Sequence, residues 1–205
     1  MTGLDRLLSE IRDCRQCIEQ PAGAPLPHQP RPVLRAGARA RLAICGQAPG
    51  TRVHATGIPF TDPSGDRLRD WMGVTAAEFY DESRIAIVPM GFCFPGLDAK
   101  GGDRRPRPEC APLWRGKVFA QLPELQLMLL VGAYAQKWHL PGCEDSLTQT
   151  VAAWRQILDR PGPPSMIPLP HPSWRNNGWL RNNPWFSCEL LPELRRRVRN
   201  TLENE

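Results

Sequence analysis

A chain of 205 residues is long enough to bury a sizeable core in one domain, so its seven cysteines are not needed as the staples of a small fold. The start lacks the charged-then-apolar run of a signal peptide, and no stretch approaches the roughly 20 apolar residues of a membrane span. We therefore expect one cytoplasmic, monomeric domain over residues 1–205 with no membrane partner, and cysteines that are metal ligands or small apolar residues rather than disulfides. The net charge of +5 weakly favours a polyanionic partner.

The N-terminal segment has the pattern of an amphipathic helix. Thr2 followed by Asp5 resembles a capping box, and the apolar residues that follow recur at helical spacing. We therefore predict a helix over residues 3–16, which ends next to Cys17. Residues 21–37 then contain five prolines and little periodicity, which predicts an extended loop that wraps the domain rather than a linker between domains.

Four short apolar runs come next, each bounded by Gly or Pro and separated by helical patterns, as is typical of βαβ units. They predict strands over residues 41–45, 85–89, 127–131 and 166–169. The accompanying helices are predicted near residues 64–72, 109–122, 133–139 and 146–158. The predicted fold is therefore an α/β three-layer α/β/α sandwich with a four-stranded parallel central sheet.

The C-terminal segment predicts two further helices, because Pro184 and Pro192 are each placed to be the first residue of a helix. The second of these helices has an apolar face formed by Leu191, Leu194, Val198 and Leu202. Its arginines lie largely on the opposite face. We interpret them as a solvated face in preference to a contact surface for nucleic acid.

A glycine-rich turn directly follows the first predicted strand, where residues 46–50 read Gly-Gln-Ala-Pro-Gly. Ligands of parallel sheets bind at the carboxyl ends of the strands, so a site is expected here. The turn exposes backbone N–H groups, and Gln47 adds a neutral amide. Residues 57–60, which read Gly-Ile-Pro-Phe, follow shortly after. The alternative is an ordinary strand-to-helix turn without a ligand, whereas a dinucleotide-binding loop has a different glycine spacing.

A second candidate segment follows the last predicted strand, where residues 171–173 read His-Pro-Ser. His171 shares the predicted edge of the sheet with the glycine-rich turn and is framed by prolines, which favours a functional histidine over a structural one. Trp174 and Arg175 come next, and residues 176–185 are rich in amides, tryptophan and arginine. This composition suits a loop that faces a partner and a well-packed turn equally.

The cysteines include two spaced pairs, Cys14 with Cys17 and Cys93 with Cys110. Residues at i and i+3 of a helix can direct the first two thiols toward one centre. The second pair flanks a Pro- and Gly-rich loop over residues 94–108, which a metal would hold in place. The alternatives are zinc, which four thiolates also suit, and ordinary buried thiols. Packing roles are expected for Cys45, Cys143 and Cys188.

These segments together resemble the uracil-DNA glycosylase superfamily over roughly residues 4–190. The glycine-rich turn with Gly-x-Pro-Phe is similar to the first motif of that family, His-Pro-Ser to its second, and the cysteine spacing to its iron–sulfur-containing, family-4-like branch. The resemblance implies an enzyme of base excision repair that flips a deaminated base out of DNA and hydrolyses its N-glycosidic bond. It also implies a structural 4Fe-4S cluster, with zinc as the runner-up, on Cys14, Cys17, Cys93 and Cys110.

The resemblance further implies a role for each candidate residue. Phe60 stacks on the flipped base, which replaces the stacking lost from the duplex. His171 and the backbone N–H of Gln47 or Ala48 stabilise the anionic leaving base, and Gly50 also lines the base pocket. The residues expected to contact DNA beside the lesion are Ser173, Trp174 and Arg175.

Three positions depart from the relatives. Gln47 stands where the iron–sulfur relatives usually carry Glu, Pro89 where they present an Asn to the uracil edge, and Gly50 where the most uracil-specific relatives place a tyrosine. Because Gln cannot act as a general base, Asp62 is the candidate that positions water and Asp66 is the reserve. We therefore predict a glycosylase of altered base preference for uracil, hypoxanthine or xanthine. The alternatives are a non-catalytic DNA-lesion binder of the same fold and an unrelated α/β hydrolase or nucleotide-binding protein.

Overall fold

A four-stranded parallel β-sheet forms the centre of the computed structural model, which describes residues 2–142 and 146–203. The strands are β1 Leu42–Cys45, β2 Ile85–Ile87, β3 Leu127–Val131 and β4 Ser165–Leu169. Their order is β2-β1-β3-β4, and every neighbouring pair is parallel. The first three strands along the chain are fully buried because helices cover both faces of the sheet. The four predicted strands and their parallel arrangement are confirmed.

The two faces of the sheet pack against different sets of helices, as the alternation along β1 shows. Ala43 and Cys45 belong to one buried cluster with the N-terminal helix, whereas Leu42 and Ile44 belong to the other with the C-terminal helix. The predicted three-layer sandwich is therefore confirmed. Within the described residues the α-helices are α1 Gly3–Arg12, α2 Gln16–Glu19, α3 Thr51–Thr56, α4 Pro63–Met72, α5 Ala76–Phe79, α6 Cys110–Phe119, α7 Ala133–His139, α8 Leu147–Ala152, α9 Trp154–Leu158, α10 Asn177–Asn182 and α11 Leu191–Glu203. None of them is long and apolar enough to cross a bilayer.

Helix α1 begins as predicted but ends four residues early. The capping box between Thr2 and Asp5 is present, and the apolar stripe up to Ile11 is buried. Beyond Ile11 the small side chain of Cys14 is the next to pack against the same buried cluster, and the helix stops at Arg12. Cys14 consequently lies in a turn and Cys17 on α2, so the prediction that one helix carries both thiols is wrong.

The segment predicted as one helix over residues 146–158 is two helices, α8 and α9. Ser146 and Gln149 form a capping box at the start of α8. Ala153, between the two helices, departs from helical backbone angles with ψ near 13°. The bend lets Val151 and Trp154 both face the cluster that contains β4. The short helices α3, α5 and α10 were not expected.

The C-terminal region is one continuous helical segment rather than two. Pro184 begins its first turn, as expected, and a π-helical turn, Phe186–Leu190, leads into α11. Pro192 therefore does not start a separate helix. Its nitrogen has no hydrogen to donate to the carbonyl four residues back, and a π turn accommodates such a missing bond. The predicted apolar face of α11 is buried, whereas Arg196 and Arg197 pair with Glu193 at the surface.

Candidate active site

A pocket opens at the carboxyl ends of β1, β2 and β4, the edge where the sequence predicts a site. Both halves of the first motif and the histidine of the second contribute to it. The lining residues are Val33, Gly46, Gln47, Ala48, Pro49, Gly50, Val53, Pro59, Phe60, Asp62, Ser64, Ile87, Pro89, Asp103 and His171. The structure thus brings together all the residues predicted to be catalytic or to bind the base.

The ring of Phe60 forms one wall of the pocket against the backbone of Gly46. A Cβ added to Gly46 would lie 3.3 Å from Cζ of Phe60, so the glycine permits this close approach. Phe60 has a φ of 56°, which places a bulky residue in the left-handed region. The Tyr80 hydroxyl donates to the Phe60 carbonyl at 3.2 Å and helps to hold this conformation. The backbone is therefore strained at the residue whose ring faces the pocket.

Backbone N–H groups face the pocket from the glycine-rich turn. Among the described residues, no atom accepts a hydrogen bond from the N–H of Gln47 or Ala48. The carbonyls of Gly46 and Gln47, by contrast, accept from Met90 and Gly91, which fixes the turn against the segment after β2. The two N–H groups are consequently oriented and available to an anionic ligand.

His171 lies across the pocket, beside the backbone of Gly132. Its carbonyl accepts a 2.6 Å hydrogen bond from the Asn176 side chain, which fixes the loop after β4. Burial lowers the pKa of His171, and the negative charge of Asp62 only partly opposes this effect. The imidazole is therefore neutral at pH 7 and can donate one N–H without carrying a charge.

Asp62 lines the pocket at the N-terminus of α4, as the expected role in positioning water requires. The Ser64 hydroxyl lies 2.8 Å from both carboxylate oxygens and fixes their orientation. Asp66, the reserve candidate, is not among the lining residues and instead binds Arg69 at 2.6 Å. The structure therefore favours Asp62 over Asp66.

The three residues expected to bind DNA line grooves that continue outward from the pocket. Ser173 caps the short 3₁₀ helix Trp174–Asn176 by accepting from the N–H of Arg175, and its carbonyl accepts from Arg67. Trp174 leaves 72% of its surface exposed, and the guanidinium of Arg175 lies 5.8 Å from its ring centre. An exposed tryptophan can stack on bases, and the arginine next to it can neutralise phosphate.

Two further residues complete the site. Pro89 lines the pocket after β2, so this position offers the base no side-chain amide. Asp103, which sequence reasoning missed, lines the pocket and both adjoining grooves. It lies in the Gly-rich loop after Cys93, and its local sequence gives no sign that the loop folds back onto Gly50.

A separate cavity on the far side of the loop over residues 91–109 is lined by the free thiols of Cys14, Cys17, Cys93 and Cys110. Cys17, Cys93 and Cys110 are buried and Cys14 is partly buried. The N–H of Phe92 donates to Sγ of Cys110 at 3.3 Å. Within the described ranges, no three Cys, His, Asp or Glu side chains are close enough to hold a single metal ion. Burial raises the pKa of Cys17 to about 11 and that of both Cys93 and Cys110 to about 12.

The other three cysteines differ from one another. Cys45 is fully buried below the glycine-rich turn, as a packing role requires. Cys188 is exposed on the π turn, so its predicted packing role is wrong. The reason is that Phe186 and Leu190 occupy the buried face of this turn. Cys143 lies outside the described residues.

The parallel sheet brings the ring of Phe60, a neutral histidine and the N–H groups of Gln47 and Ala48 to one pocket, a combination that suits a flat, polar ligand. The comparison with known families is consistent with this geometry. Residues 35–195 match the family model described as the uracil DNA glycosylase superfamily. The chain therefore belongs to this superfamily.

Proposed function

We propose that this protein is a DNA glycosylase that hydrolyses the N-glycosidic bond of a flipped, deaminated base during base excision repair. The observation that carries the proposal is the convergence of Phe60, His171 and the N–H groups of Gln47 and Ala48 on one pocket. Superfamily membership supports the same reaction class. The expected cytoplasmic location and monomeric state are part of this proposal.

The pocket supplies a stacking surface and hydrogen-bond donors for the base. A flipped base placed on the ring of Phe60 regains roughly 1–3 kcal/mol of stacking. Negative charge develops on the base as the bond to C1′ breaks, and donors fixed in advance stabilise it. The neutral imidazole of His171 and the N–H groups of Gln47 and Ala48 are such donors. Gln47 has no carboxylate and takes no proton.

We propose that Asp62 positions the water molecule that adds to the sugar. Its carboxylate is oriented by Ser64 and shares the pocket with His171. A carboxylate in this position can align a water molecule with C1′ as the sugar gains positive charge. We expect Asp62→Asn to keep base binding and to slow excision by roughly 10²-fold or more.

The base preference that we propose is broader than uracil alone. Gly50 adds no side chain to the pocket wall, and Pro89 offers no amide to read the edge of a pyrimidine. Purine products of deamination, hypoxanthine and xanthine, are therefore candidate substrates together with uracil. DNA contacts are assigned to Ser173, Trp174 and Arg175, whose groove adjoins the pocket.

We also propose a 4Fe-4S cluster on the four thiols that line one cavity, which would place the chain in the iron–sulfur branch. The donor set fits the group because a cluster spreads four thiolates over a wider space than a single ion does, and the N–H of Phe92 already binds one sulfur. The bound group would link the α1–α2 turn to the loop that borders the base pocket.

Iron, sulfide and zinc assays with visible absorbance of anaerobically purified protein test the proposed cluster. Visible absorbance with about four irons per chain is expected, and zinc or no metal contradicts the proposal.

The function is tested by incubation with oligonucleotides that contain uracil, hypoxanthine or xanthine, followed by detection of abasic sites. We expect excision of at least one base, and a loss of roughly 10²-fold in single-turnover rate for His171→Ala. Phe60→Ala should lose roughly 5-fold to 10²-fold through weaker stacking. Trp138→Ala removes an exposed aromatic ring outside the pocket and should leave the rate unchanged. Binding without excision on the whole panel indicates the alternative, a non-catalytic lesion binder.

A further inference from the structure

Asp103 occupies the junction between the inner pocket and the grooves that lead out of it. The pocket that holds Phe60 includes Asp103, and so do both outer grooves, one beside Arg104 and the other beside Trp174. His171 is the other residue that lines all three spaces. We call this junction, between Asp103 and His171, the pocket neck.

The backbone fixes Asp103 at the neck. Leu97 and Asp103 pair as an antiparallel bridge, and the Asp98 carboxylate closes the turn by accepting from the N–H groups of Lys100 and Gly102. On the pocket side, a Cβ added to Gly50 would lie 3.3 Å from Oδ2 of Asp103. The glycine therefore leaves room for this carboxylate at the pocket wall.

The carboxylate of Asp103 has no hydrogen-bond donor among the described residues, unlike that of Asp62, which Ser64 binds. The charges that act on it are those of Arg175, Asp62 and Asp98, and partial burial at the pocket raises its pKa. Asp103 is nevertheless open to solvent in the absence of DNA, and it is negative at pH 7. Its full charge is therefore available to whatever enters the neck.

The sugar of a flipped nucleotide must pass through this neck. With the base against Phe60 and the backbone in the groove beside Trp174, the sugar that joins them lies between the two. Positive charge develops on that sugar as the base departs. A carboxylate that already faces the site of a developing cation stabilises it without reorganisation.

We propose that Asp103 stabilises the positive charge that develops on the sugar of the flipped nucleotide. This inference rests on the proposed function and assigns the sugar side of the scissile bond to a residue distinct from those that act on the base. Asp62, which lines the inner pocket and the groove beside Trp174, aligns water, whereas Asp103, which also lines the groove beside Arg104, provides negative charge from the neck. The loop after β2 thereby becomes part of the reacting site.

The test is the affinity for two abasic analogues in duplex DNA, a pyrrolidine nucleotide that is cationic at pH 7 and a neutral tetrahydrofuran nucleotide. Anisotropy titrations at one fixed salt concentration give the ratio of the two dissociation constants. We expect the wild-type protein to prefer the cation by about 10-fold, since the charge pair is partly solvated. Asp103→Asn should reduce the preference to within about 2-fold of unity, and Asp103→Glu, which restores the charge, should retain most of it.

Asp70→Asn is the matched control, because it removes the same charge from an exposed ion pair with Arg195 outside the pocket. It should keep the wild-type ratio. A ratio near one for the wild-type protein, or an unchanged ratio in Asp103→Asn, overturns the inference. If Asp62→Asn brings the ratio of dissociation constants close to one and Asp103→Asn does not, the charge belongs to Asp62, and the inference is also overturned.

The outcome is separable from that of the proposed function. A protein that excises no base but shows a cation preference dependent on Asp103 contradicts the glycosylase and supports the charge at the neck. A protein that excises bases without such a preference contradicts only the role of Asp103. In an active protein, Asp103→Asn should also slow single-turnover excision by roughly 10-fold to 100-fold.

Discussion

The strained residue of the pocket, Phe60, depends on a glycine in the helix that follows it. Its left-handed backbone turns the chain so that its carbonyl points at Gly65 in the first turn of α4. A Cβ added to Gly65 would lie 1.9 Å from this carbonyl oxygen, and backbone cannot yield as a flexible side chain can. The stacking ring and the start of α4 therefore form one unit.

Gly65→Ala is expected to displace Phe60 and weaken the site. The overlap with backbone should reduce the free energy of unfolding by roughly 1–3 kcal/mol. It should also weaken binding of a uracil-containing oligonucleotide, because the ring loses its position against Gly46. Urea denaturation and anisotropy titrations measure the two effects.

Gly116→Ala provides the control for this substitution. Gly116 is an exposed residue of α6 with no atom within 4 Å of an added Cβ. Alanine should stabilise this helix by about 0.5–1 kcal/mol and leave binding unchanged. Equal effects of the two substitutions would contradict a specific role for Gly65.

Some residues of the site could be predicted from the sequence, and one could not. His171 was predicted because its short motif directly follows a strand, which places it at the carboxyl edge, whereas Phe60 was predicted through the resemblance of residues 57–60 to a family motif. Asp103 was not, because its place depends on the path of a loop of more than ten residues, which local pattern does not specify. Its only sequence signal is the Gly101-Gly102 turn that precedes it.

Between secondary-structure elements, a buried arginine joins α6 to the pocket wall. Arg115 is 1% exposed and donates to the carbonyls of Val88 and Pro89 at 2.6 and 2.7 Å. The Nη2 atom of Arg115 lies 2.6 Å from Nε2 of His139. The N–H groups of Val88 and Met90 continue the bonds to β1 and the turn after it, and this guanidinium satisfies the carbonyls of Val88 and Pro89.

Arg115→Met should therefore destabilise the protein and loosen the wall at Pro89. Two buried carbonyls lose a charged donor, which costs roughly 2–4 kcal/mol of unfolding free energy.

Lys117→Met, two residues along α6, is the control, because it removes an exposed cation that lies 4.8 Å from the Trp114 ring centre. It should cost about 0.5–1 kcal/mol. Chemical denaturation of the two variants compares them, and similar losses would show that Arg115 supports nothing beyond packing.

The elements that the sequence predicted share one property, an apolar run or stripe with Gly or Pro at its boundary. The strand Leu127–Val131 and the helix Ala133–His139 were located to the residue for this reason. Helices of four to six residues, such as α3 and α5, have too few repeats to be distinguished from turns. The break after α8 depends on packing against β4, which is a tertiary effect.

For the molecule as a whole, the histidines determine how stability varies with mildly acidic pH. Burial, together with the charge of Arg115, lowers the pKa of His139 to about 4, and burial likewise lowers those of His54 and His171. The folded state thus binds these protons less tightly than the unfolded chain does. Stability is complete above the unfolded value near 6.5 and is lost as pH falls from there toward 4.

The free energy of unfolding should consequently fall between pH 7 and pH 5, with His139 alone contributing about 2 kcal/mol. Hydrogen bonds and ion pairs lower the pKa of Glu78 and Glu193 from 4.5 to about 2, so their stabilisation is lost mainly below pH 4.5 and they add little in this window. Urea denaturation at half-unit pH intervals measures the slope. His139→Gln keeps an acceptor for Arg115 and should flatten the curve, whereas a wild-type curve that is already flat would contradict the assignment.

The walls of the pocket come from segments far apart along the chain, from Val33 to His171, that meet only at one edge of the parallel sheet. No fragment of the domain holds the complete set, so the proposed binding of a flipped base requires the fully folded state. Binding and folding are then thermodynamically linked, since a ligand that the unfolded chain does not recognise raises the melting temperature as its concentration exceeds the dissociation constant. Under the proposed function, damaged DNA stabilises the fold of the protein that repairs it.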